Sequence, residues 1–565
     1  MPHNQQGSPA MNPMSPSPAG SDRVGRSTHR HREIRWLLGF VGAALILRLP
    51  SLVYSVYNYD ESLYILMGAE MWHGHLPYTS VCDLKPFGLF SLFGLFTAPP
   101  FDGVIVSRLA ASLVVGLTAS LIRQIASLLF DDPDNAIGIV AGLAFILFTL
   151  ANGGVAAQGE LFHDACTVLA LFILLRAIRL KGLPSGRVFA ASGLILGAGF
   201  QIKQSVAFDM AAIMAGIVLL TVPGRWPTPA FLRSILPGMA LMAAASLVPT
   251  LAVMGLYRLT GHWDAWVAAN VTAHRVFYGL GRPFELDPAL RALWEQAPLW
   301  FAAAFAALFL GRLTFGGAER RACLFLLVWV AAIMACIVFL RIASDHYFLQ
   351  FLPPLSLLAG VLVGRGVLAH LSTPRARAGI VGALAGMALF AIAKEPLIHT
   401  GYILWDRVVG GERFAGDTPR RIAADLKPEL SPKDSIYVLG FQPLVYYLTG
   451  ARPATRFAFT GLPHRDYPGR DGCSWVPQKV EMQRVLDSRP RFIVVEDGVF
   501  VHELDPAVKA VLHERLARDY RLRKRYEQHP LHHLYPFERF VMNGGAPAEV
   551  YELAGENRLS GSLPP

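Results

Sequence analysis

The chain has 565 residues, of which 53% are hydrophobic and 16% are charged, and its mean hydropathy is +0.39. Soluble domains carry about 25% charged residues, so this composition excludes an ordinary soluble protein and predicts a polytopic membrane protein. The formal net charge of +10 does not indicate nucleic-acid binding, because the arginines lie mainly between apolar segments, where they set topology. The five cysteines form no CxxC or Cys/His cluster, which argues against a structural metal or a redox motif.

The N-terminal segment, residues 1–33, is rich in Pro, Ser, Gly and Asn and contains several arginines. This composition is typical of a disordered tail. The first apolar segment, Trp36–Val56, lies too far from the N-terminus for a secretory signal, so it is predicted to be a retained anchor. Its basic flank places the N-terminus in the cytoplasm.

Residues 34–395 are predicted to form a transmembrane module. After Trp36–Val56 the further apolar segments are Val104–Phe130, Ala136–Ala151, Leu161–Ile178, Val188–Phe200, Val206–Val222, Phe231–Leu256, Pro298–Leu310, Ala322–Leu340, Phe348–Val363 and Gly379–Ala393.

One more apolar run, Phe87–Pro100, is short and ends in two prolines. If it does not span, the arginine-containing loops 179–187, 225–233, 312–321 and 365–377 all fall in the cytoplasm, as the positive-inside rule requires. We therefore predict a re-entrant or interfacial helix here, with about eleven transmembrane helices and an external C-terminus.

From about Pro396 onward, proline and charged residues become common, and short β-rich runs alternate with helical patterns. Ser435–Leu439, Arg491–Glu496, Tyr520–Tyr526 and Val550–Leu553 are predicted strands, and Val476–Asp487 and Pro506–Arg518 are predicted helices. Residues 396–565 are thus predicted to form a small extracytoplasmic α/β domain.

The first external loop, residues 57–103, carries an unusual set of charged side chains. It begins near Asp60-Glu61 and contains Asp83 and Lys85. Ionisable groups at membrane depth are costly, so by default they pair, line a wet cavity or serve a function. The same side of the membrane is predicted to hold Glu160, Asp164, Lys203, Arg341 and Asp345-His346-Tyr347.

A mixed set of carboxylates and cations suits a substrate with a phosphate that Lys and Arg can hold and a hydroxyl that a carboxylate can deprotonate. A lipid-linked phosphosugar fits this description, with its tail in the bilayer and its head in the cavity. When the sugar leaves, the phosphate gains negative charge, so a nearby cation stabilises the transition state more than the ground state.

Two motifs resemble those of a known superfamily. Asp60-Glu61 after a first span, followed by Tyr64, Gly74, Pro77-Tyr78, Asp83 and Lys85-Pro86, resembles the first external loop of the GT-C membrane glycosyltransferases. The similarity is to the protein mannosyltransferases and their bacterial relatives, including the lipid A aminoarabinose transferase. The segment from Asp345 to Gly360, DHYFLQFLPPLSLLAG, resembles the HY-x-x-x-x-PP segment of that superfamily. The WWDYG block of oligosaccharyltransferases is absent from the sequence.

The resemblance implies a GT-C-like fold and a transfer of sugar from a polyprenyl-phosphate carrier to a glycan, lipid or protein acceptor. It implies that Asp60 is the general base, with Glu61 beside it as an orienting group for the acceptor or a metal. Lys85, His346 and Tyr347 would contact the lipid phosphate. Glu160 and Asp164 lie where relatives place a second acid, and the sequence does not decide between them.

Other expected site residues rest on position and charge. Lys203 and Arg341 are expected to bind the phosphate, and Asp83 to belong to the substrate site. No cofactor is required, although the cluster of acids leaves room for a divalent metal. The resemblance to bacterial relatives implies the inner membrane.

Several alternatives stay open on sequence grounds. Asp60 could be a helix N-cap, Lys85 could snorkel, and Arg341 and Asp345 could form an i,i+4 ion pair. Cys82 and Cys473 both face outward in this topology, so they could form a disulfide. A transporter or flippase of lipid-linked sugars would also hold ionisable groups in a membrane cavity, but no inverted repeat is evident. A third hypothesis is an inactive receptor for lipid-linked sugars.

Overall fold

The computed structural model describes residues 19–222, 227–275, 284, 286–313, 316–341, 344–463, 476–527 and 547–554. Up to residue 408 the described residues are mainly helical. The helices are α1 (Ala19–Arg48), α2 (Tyr59–Trp72), α3 (Phe87–Phe96), α4 (Gly103–Leu129), α5 (Ala136–Phe148), α6 (Gly159–Lys181), α7 (Gly186–Phe200), α8 (Val206–Thr221), α9 (Pro229–Leu259), α10 (Trp263–Val267), α11 (Leu286–Glu295), α12 (Ala297–Leu308), α13 (Leu310–Leu313), α14 (Gly317–Leu340), α15 (Leu352–Gly366) and α16 (Pro374–Val408).

Six helical segments of the described chain are long and apolar enough to cross a membrane by length and composition: Arg30–Leu52, Gly103–Leu129, Gly159–Lys181, Pro229–Leu259, Gly317–Leu340 and Asp345–His370. Five shorter apolar helices, α3, α5, α7, α8 and α12, accompany them. Each apolar segment named from the sequence overlaps a described helix, so the mainly helical membrane architecture is confirmed. The count of about eleven spans stays a prediction.

The run Phe87–Pro100 forms only the ten-residue helix α3. At a rise of about 1.5 Å per residue such a helix extends about 15 Å, half of a bilayer core. Pro86 stands at its N-cap in an extended conformation, and Thr97 ends it two residues before Pro99. A straight span is therefore excluded for this helix, and its place at the membrane interface stays a prediction.

The boundaries of the predicted units differ from those of the described helices. The predicted disordered tail reaches residue 33, whereas α1 begins at Ala19, directly after the last proline of the N-terminal segment. Similarly, α16 passes through the predicted boundary at residues 395 and 396 and ends at Val408. At the N-terminus the helix begins before the composition changes, and at α16 the helix continues after the composition has changed.

The C-terminal unit combines helices with one five-stranded sheet. Its helices are α17 (Thr418–Leu426), α18 (Leu444–Thr449), α19 (Gln478–Asp487), α20 (Val499–His502) and α21 (Pro506–Asp519). Its strands are β1 (Ser435–Leu439), β2 (Arg452–Pro453), β3 (Phe492–Glu496), β4 (Tyr520–Tyr526) and β5 (Ala548–Leu553), in the order β2-β1-β3-β5-β4.

The central strands β1 and β3 are parallel and buried, while β4 and β5 form an antiparallel edge. Such buried parallel strands read as continuous apolar runs in the sequence. For this reason Ser435–Leu439 and the IVVE run of β3 could be recognised without an alignment. The small α/β unit is confirmed.

This unit is hydrogen-bonded to loops at one end of the membrane module. Asp417 accepts hydrogen bonds from the backbone N–H and the hydroxyl of Ser55, at 2.8 and 2.5 Å. The Tyr447 hydroxyl accepts one from the N–H of Gly103 at 2.8 Å, where α4 begins. The C-terminal unit therefore lies against the same end of the module as α2.

Close packing of α7 on α9 depends on two glycines four residues apart. A Cβ atom on Gly193 or Gly197 would come closer than 3.0 Å to the backbone carbonyl oxygens of Met242 and Ser246, respectively. Small residues at this spacing let two membrane helices approach closely. The sequence pattern at Gly193 and Gly197 thus specifies one helix–helix contact of the module.

We expect Gly197→Ala to destabilise the protein by about 1–3 kcal/mol, because α7 must move away from α9 to admit the methyl group. Gly382→Ala in α16 is the matched control, since a Cβ there meets nothing within 4 Å. The measurement is the thermal unfolding transition of the purified protein in detergent. Equal transitions for the two variants would contradict this packing.

Candidate functional site

The site begins at the first turn of α2. Asn58 caps this helix: its backbone is extended, and its side chain accepts a hydrogen bond from the N–H of Asp60 at 2.8 Å. Asp60 and Glu61 then occupy the first turn, where the helix dipole favours negative charge. Because Asn58 is the N-cap of α2, Asp60 does not serve as the cap of this helix.

Glu61 points into the protein and forms a buried ion pair with Arg108 of α4. Arg108 Nε lies 3.0 Å from Glu61 Oε1 and Nη2 lies 2.5 Å from Oε2, and both side chains are 0% exposed. Glu61 Oε1 also accepts the N–H of Ala157 at 2.8 Å. Both carboxylate oxygens are therefore engaged in anchoring contacts, and the catalytic role predicted for Glu61 gains no support from this geometry.

Arg108 in turn holds the chain segment that precedes α2. Its guanidinium donates to the backbone carbonyls of Ser51, Tyr54 and Ser55, with 2.5 Å to Ser51 and 3.0 Å to Ser55. It also lies over the ring of Tyr57, 4.9 Å from the centroid. One buried arginine thus fixes both the approach to α2 and its first turn.

Asp60 belongs to a second, more accessible cluster that includes residues distant in the sequence. Its Oδ2 atom lies 3.7 Å from Lys85 Nζ and 3.4 Å from His346 Nε2. His346 Nε2 lies 3.9 Å from Glu160 Oε1, and the same oxygen contacts Lys203 Nζ. His346 therefore stands between two carboxylates, each of which faces a lysine.

Lys85 is held by its backbone and by aromatic contacts. Its carbonyl accepts a hydrogen bond from the Tyr78 hydroxyl at 2.7 Å, and its ammonium lies 5.7 Å from the centroid of the Tyr64 ring. Burial acts to lower the pKa of Lys85, but the negative charges of Asp60 and Asp83 outweigh it and raise the pKa well above its ordinary value. The two carboxylates thus favour the protonated form of Lys85.

His346 and Tyr347 lie on a 3-10 turn, Asp345–Phe351, that precedes α15. Gln350 fastens this turn, because its amide donates to Asp209 Oδ2 at 2.5 Å. The Tyr347 ring packs edge-on against His346, with centroids 4.8 Å apart, and Lys203 Nζ lies 3.3 Å from the centroid of that ring. Through His346 and Tyr347, the turn therefore contacts both the Asp60–Lys85 pair and the Glu160–Lys203 pair.

The structure thus brings together six of the ten predicted site residues: Asp60, Lys85, Glu160, Lys203, His346 and Tyr347. Asp83 is 7% exposed and adds negative charge near Lys85. Asp164 lies one turn further along α6 than Glu160, is 1% exposed, and approaches His163 Nδ1 at 3.3 Å. Of the two acids considered on α6, Glu160 is the one in the cluster.

Arg341 is placed differently from the buried cluster. It ends α14 in a left-handed conformation, with φ of 54°, and its side chain is exposed. Asp345 begins the next 3-10 turn, so the two residues do not share one helix as an i,i+4 pair would. The phosphate contact predicted for Arg341 stays a prediction.

Cys82, in the loop after α2, is disulfide-bonded. Cys473, whose pairing with Cys82 the sequence leaves open, lies outside the described residues. The N–H of Cys82 also donates to the carbonyl of Arg456 at 2.9 Å, which ties the loop after α2 to the C-terminal unit.

Sequence reasoning missed Arg108 and the part played by the C-terminal unit. A charged residue inside an apolar span is a signal that could have identified Arg108. The C-terminal contribution has no such local signal: the ring of Phe441 packs on Tyr59 with centroids 4.9 Å apart, and Glu496 accepts the N–H of Phe441 at 2.5 Å. Tyr59 precedes Asp60, so this contact reaches the edge of the cluster.

The acids of the cluster leave a divalent metal open on sequence grounds. The described residues contain no group of three His, Cys, Asp or Glu side chains that could hold a metal ion. Asp60 and Glu160 already face Lys85 and Lys203, and a lysine cation is no metal ligand. A divalent metal at the cluster stays a prediction from the sequence alone.

No protein family and no curated protein matches this sequence. The fold, however, is similar to the crystal structure of ArnT, an aminoarabinose transferase, from Cupriavidus metallidurans in the apo state. The TM-score is 0.52 at 16% sequence identity, over 92% of this chain and 98% of that chain. The chain has a GT-C-like fold.

The oligosaccharyltransferase of Archaeoglobus fulgidus in the apo form is similar at a TM-score of 0.45 and 12% identity, over 82% of this chain and 69% of that chain. The oligosaccharyltransferase AglB from the same organism, in complex with an inhibitory peptide and a dolichol-phosphate, gives a TM-score of 0.42 at 13% identity, over 83% of this chain and 70% of that chain.

The anchoring role of Arg108 predicts a large effect of its removal. Arg108→Leu leaves the Glu61 carboxylate buried without its partner, which should cost about 3–5 kcal/mol of stability. The double variant Glu61→Gln/Arg108→Leu should recover part of this loss, because no buried charge remains. Thermal unfolding in detergent measures both, and a single variant as stable as the wild type would contradict the anchoring role.

Glu496 predicts a pH-dependent stability of the C-terminal unit. Burial raises its pKa from the ordinary 4.5 to about 7, although the hydrogen bond from Phe441 opposes this shift. The protonated Glu496 carboxyl therefore stabilises the folded unit fully below about pH 4.5. This contribution to the free energy of unfolding, about 3 kcal/mol, is lost as the pH rises through about 7.

We therefore expect Glu496→Gln to unfold at a higher temperature than the wild type at pH 8, with the difference vanishing near pH 4.5. Glutamine keeps an oxygen for the Phe441 N–H but carries no charge. Glu514→Gln, at an exposed position of α21, is the matched control and should show no such pH-dependent gain. A gain of equal size at both pH values would contradict the role of ionisation.

Proposed function

We propose that this protein is an integral-membrane glycosyltransferase. It transfers a sugar from a polyprenyl-phosphate carrier to an acceptor on the extracytoplasmic face, which is a glycan, a lipid or a protein. The observation that carries this proposal is the buried cluster in which His346 links Asp60 and Glu160, each beside a lysine, on a GT-C-like fold.

The chemistry of the cluster matches the two demands of the reaction. Lys85 and Lys203 are cations that can bind the phosphate of the carrier and stabilise the charge that it gains. Asp60 can accept the proton of an acceptor hydroxyl. Asp60 is 8% exposed, whereas Glu160 is 1% exposed and in contact with Lys203, so Asp60 is the more accessible base.

The proposed reaction is a single displacement with inversion. The acceptor oxygen forms a bond to the anomeric carbon of the sugar while its proton passes to Asp60. The bond from that carbon to the phosphate oxygen breaks, and its electron pair stays on the phosphate. The products are the glycosylated acceptor and the polyprenyl phosphate. The negative charge that the phosphate gains would be stabilised by Lys85, His346 and Tyr347.

Other predicted residues take supporting parts in this proposal. Glu160 holds Lys203 and orients His346, since both contact the same carboxylate oxygen. Asp83, together with the larger effect of Asp60, favours the protonated form of Lys85. Glu61 acts through its pair with Arg108, as a positioning residue for the first turn of α2.

The proposal includes a location. The protein would lie in a bacterial inner membrane, with its N-terminus in the cytoplasm and α2 and the C-terminal unit outside. The arginines of the loops at residues 179–187 and 365–377 support this orientation through the positive-inside rule. The Ser55–Asp417 and Gly103–Tyr447 contacts agree with it, because they join the C-terminal unit to the loops on the side of Asp60.

The test is transfer of a labelled sugar from a synthetic polyprenyl-phosphate donor by the purified protein in lipid nanodiscs. Asp60→Asn should lower the rate by on the order of 10²–10⁴-fold, because the general base is lost. Asp264→Asn, at an exposed position of α10, is the matched control and should leave the rate unchanged. Equal thermal transitions would show that Asp60→Asn is folded.

Full activity of Asp60→Asn would contradict its assignment as the base. The same assay, run in sealed vesicles, distinguishes the transporter alternative. Movement of intact labelled carrier across the membrane without transfer of its sugar would overturn the glycosyltransferase proposal in favour of a flippase.

A further inference from the structure

A second cleft, separate from the cluster, lies where the C-terminal unit meets the far end of α2. Its volume is about 830 Å³, within the range of about 300–1,000 Å³ found for ligand sites. The last turn of α2 and the connection from α3 to α4 form one wall, and α17, α18 and the turn Lys427–Glu429 form the other. The rise of α2 places Trp72 about 18 Å from Asp60 along the helix.

The cleft carries positive charge that the described residues do not neutralise. Arg413, Lys427 and Arg452 line it and are exposed. Within the part of the chain that the structure describes, no carboxylate oxygen lies within 4.0 Å of their charged nitrogens. Arg452 donates to the backbone carbonyl of Lys433 at 2.5 Å, which orients its guanidinium without cancelling its charge.

The acids of the cleft are already engaged. Asp102 accepts Arg420 Nη2 at 2.7 Å. Glu70 faces the ring nitrogens of His73 and His75, at 3.3 and 2.7 Å, and keeps its negative charge beside neutral histidines. Against this one carboxylate stand the three remaining cations, so the charge of the cleft is positive and electrostatic complementarity favours an anion.

Two exposed aromatic side chains distinguish this cleft from a general basic surface. Trp72 is 55% exposed and Phe101 is 65% exposed, and both line the cleft. The Trp72 indole is fixed by a hydrogen bond from Nε1 to the carbonyl of Gly94, at 2.7 Å. Flat aromatic faces pack against the C–H faces of sugar rings, while cations bind the anionic groups that such rings carry.

We propose that this cleft binds an acidic saccharide, that is, a carbohydrate bearing carboxylate or phosphate groups, as the remote part of the acceptor. That it belongs to the acceptor rests on the function proposed above, whereas the binding itself does not. Asp60 and Trp72 stand at opposite ends of α2, about 18 Å apart along the helix, a separation that an extended oligosaccharide can span. Binding energy gained in the cleft can then orient the acceptor hydroxyl at Asp60.

The test is a direct binding measurement on the full-length protein in nanodiscs of zwitterionic phosphatidylcholine. The probes are a fluorescent oligogalacturonate, a phosphorylated oligosaccharide and a neutral maltooligosaccharide of equal length. At least one acidic probe should bind more tightly than the neutral one. Arg413→Gln/Lys427→Gln/Arg452→Gln should weaken that binding by on the order of a hundredfold, since three charge-assisted contacts are lost.

The matched control is Lys479→Gln/Arg489→Gln/Arg518→Gln, which removes three exposed cations of the same unit that do not line the cleft. It should retain the affinity of the wild type. Equal loss in both triple variants would overturn the proposal, because net charge would then explain binding. Equal affinity of the wild type for acidic and neutral probes, or no binding at all, would overturn it too.

Coupling the acidic headgroup to a dioleoyl lipid in the nanodisc distinguishes the two sources of the ligand. Tighter binding of the lipid-borne form supports an acidic glycolipid, and tighter binding of the soluble form supports a free glycan. Asp60→Asn should bind the probe as the wild type does. Specific binding by a protein that transfers no sugar would uphold the cleft and overturn only the proposed function.

Discussion

The buried pair of Glu61 and Arg108 is the interaction on which the site depends. An arginine inside an apolar span is costly unless a carboxylate and further acceptors surround it, and Glu61 with the carbonyls of Ser51, Tyr54 and Ser55 supplies them. Adjacent residues on a helix point about 100° apart. Once Glu61 points inward to Arg108, Asp60 is turned toward Lys85 and His346.

The second constraint is charge balance in the cluster. Asp60 and Glu160 face Lys85 and Lys203, so the buried charges compensate each other before any ligand binds. In the proposed reaction a phosphate competes for the same lysines. As Lys85 turns to the phosphate, Asp60 loses its ion pair with Lys85. Donor binding would thus make the Asp60 carboxylate available to the acceptor hydroxyl.

Much of the fold could be predicted from the sequence because its signals are local. Apolar segments such as Val104–Phe130 coincide closely with helices such as Gly103–Leu129, and Ser435–Leu439 is a strand with those same bounds. The prolines after Phe96 explain why α3 is short. Helix ends were less predictable, since α16 continues past the change in composition at Pro396.

The sequence allowed prediction of those site residues that are ionisable groups in a mainly apolar chain. Asp60, Lys85, Glu160, Lys203 and His346 stand out as ionisable groups near the ends of apolar segments, and they converge in the structure. What each one contacts was not predictable. Asp60 and Glu61 are neighbours of the same type, yet one pairs with Arg108 of α4 and the other faces His346, which only the packing of distant helices decides.

The C-terminal unit contacts α2 at both of its ends, and this arrangement separates two tasks. At the first turn, Phe441 packs on Tyr59 beside the cluster. At the last turn, the cleft with Arg413, Lys427 and Arg452 adjoins Trp72. All cluster residues come from the membrane module, whereas these three cations come from the C-terminal unit. Changes in the cleft can therefore alter which acceptor is held without altering the groups that would act on the donor phosphate. Because the cluster and the cleft lie at the two ends of the single helix α2, this helix fixes the distance between them.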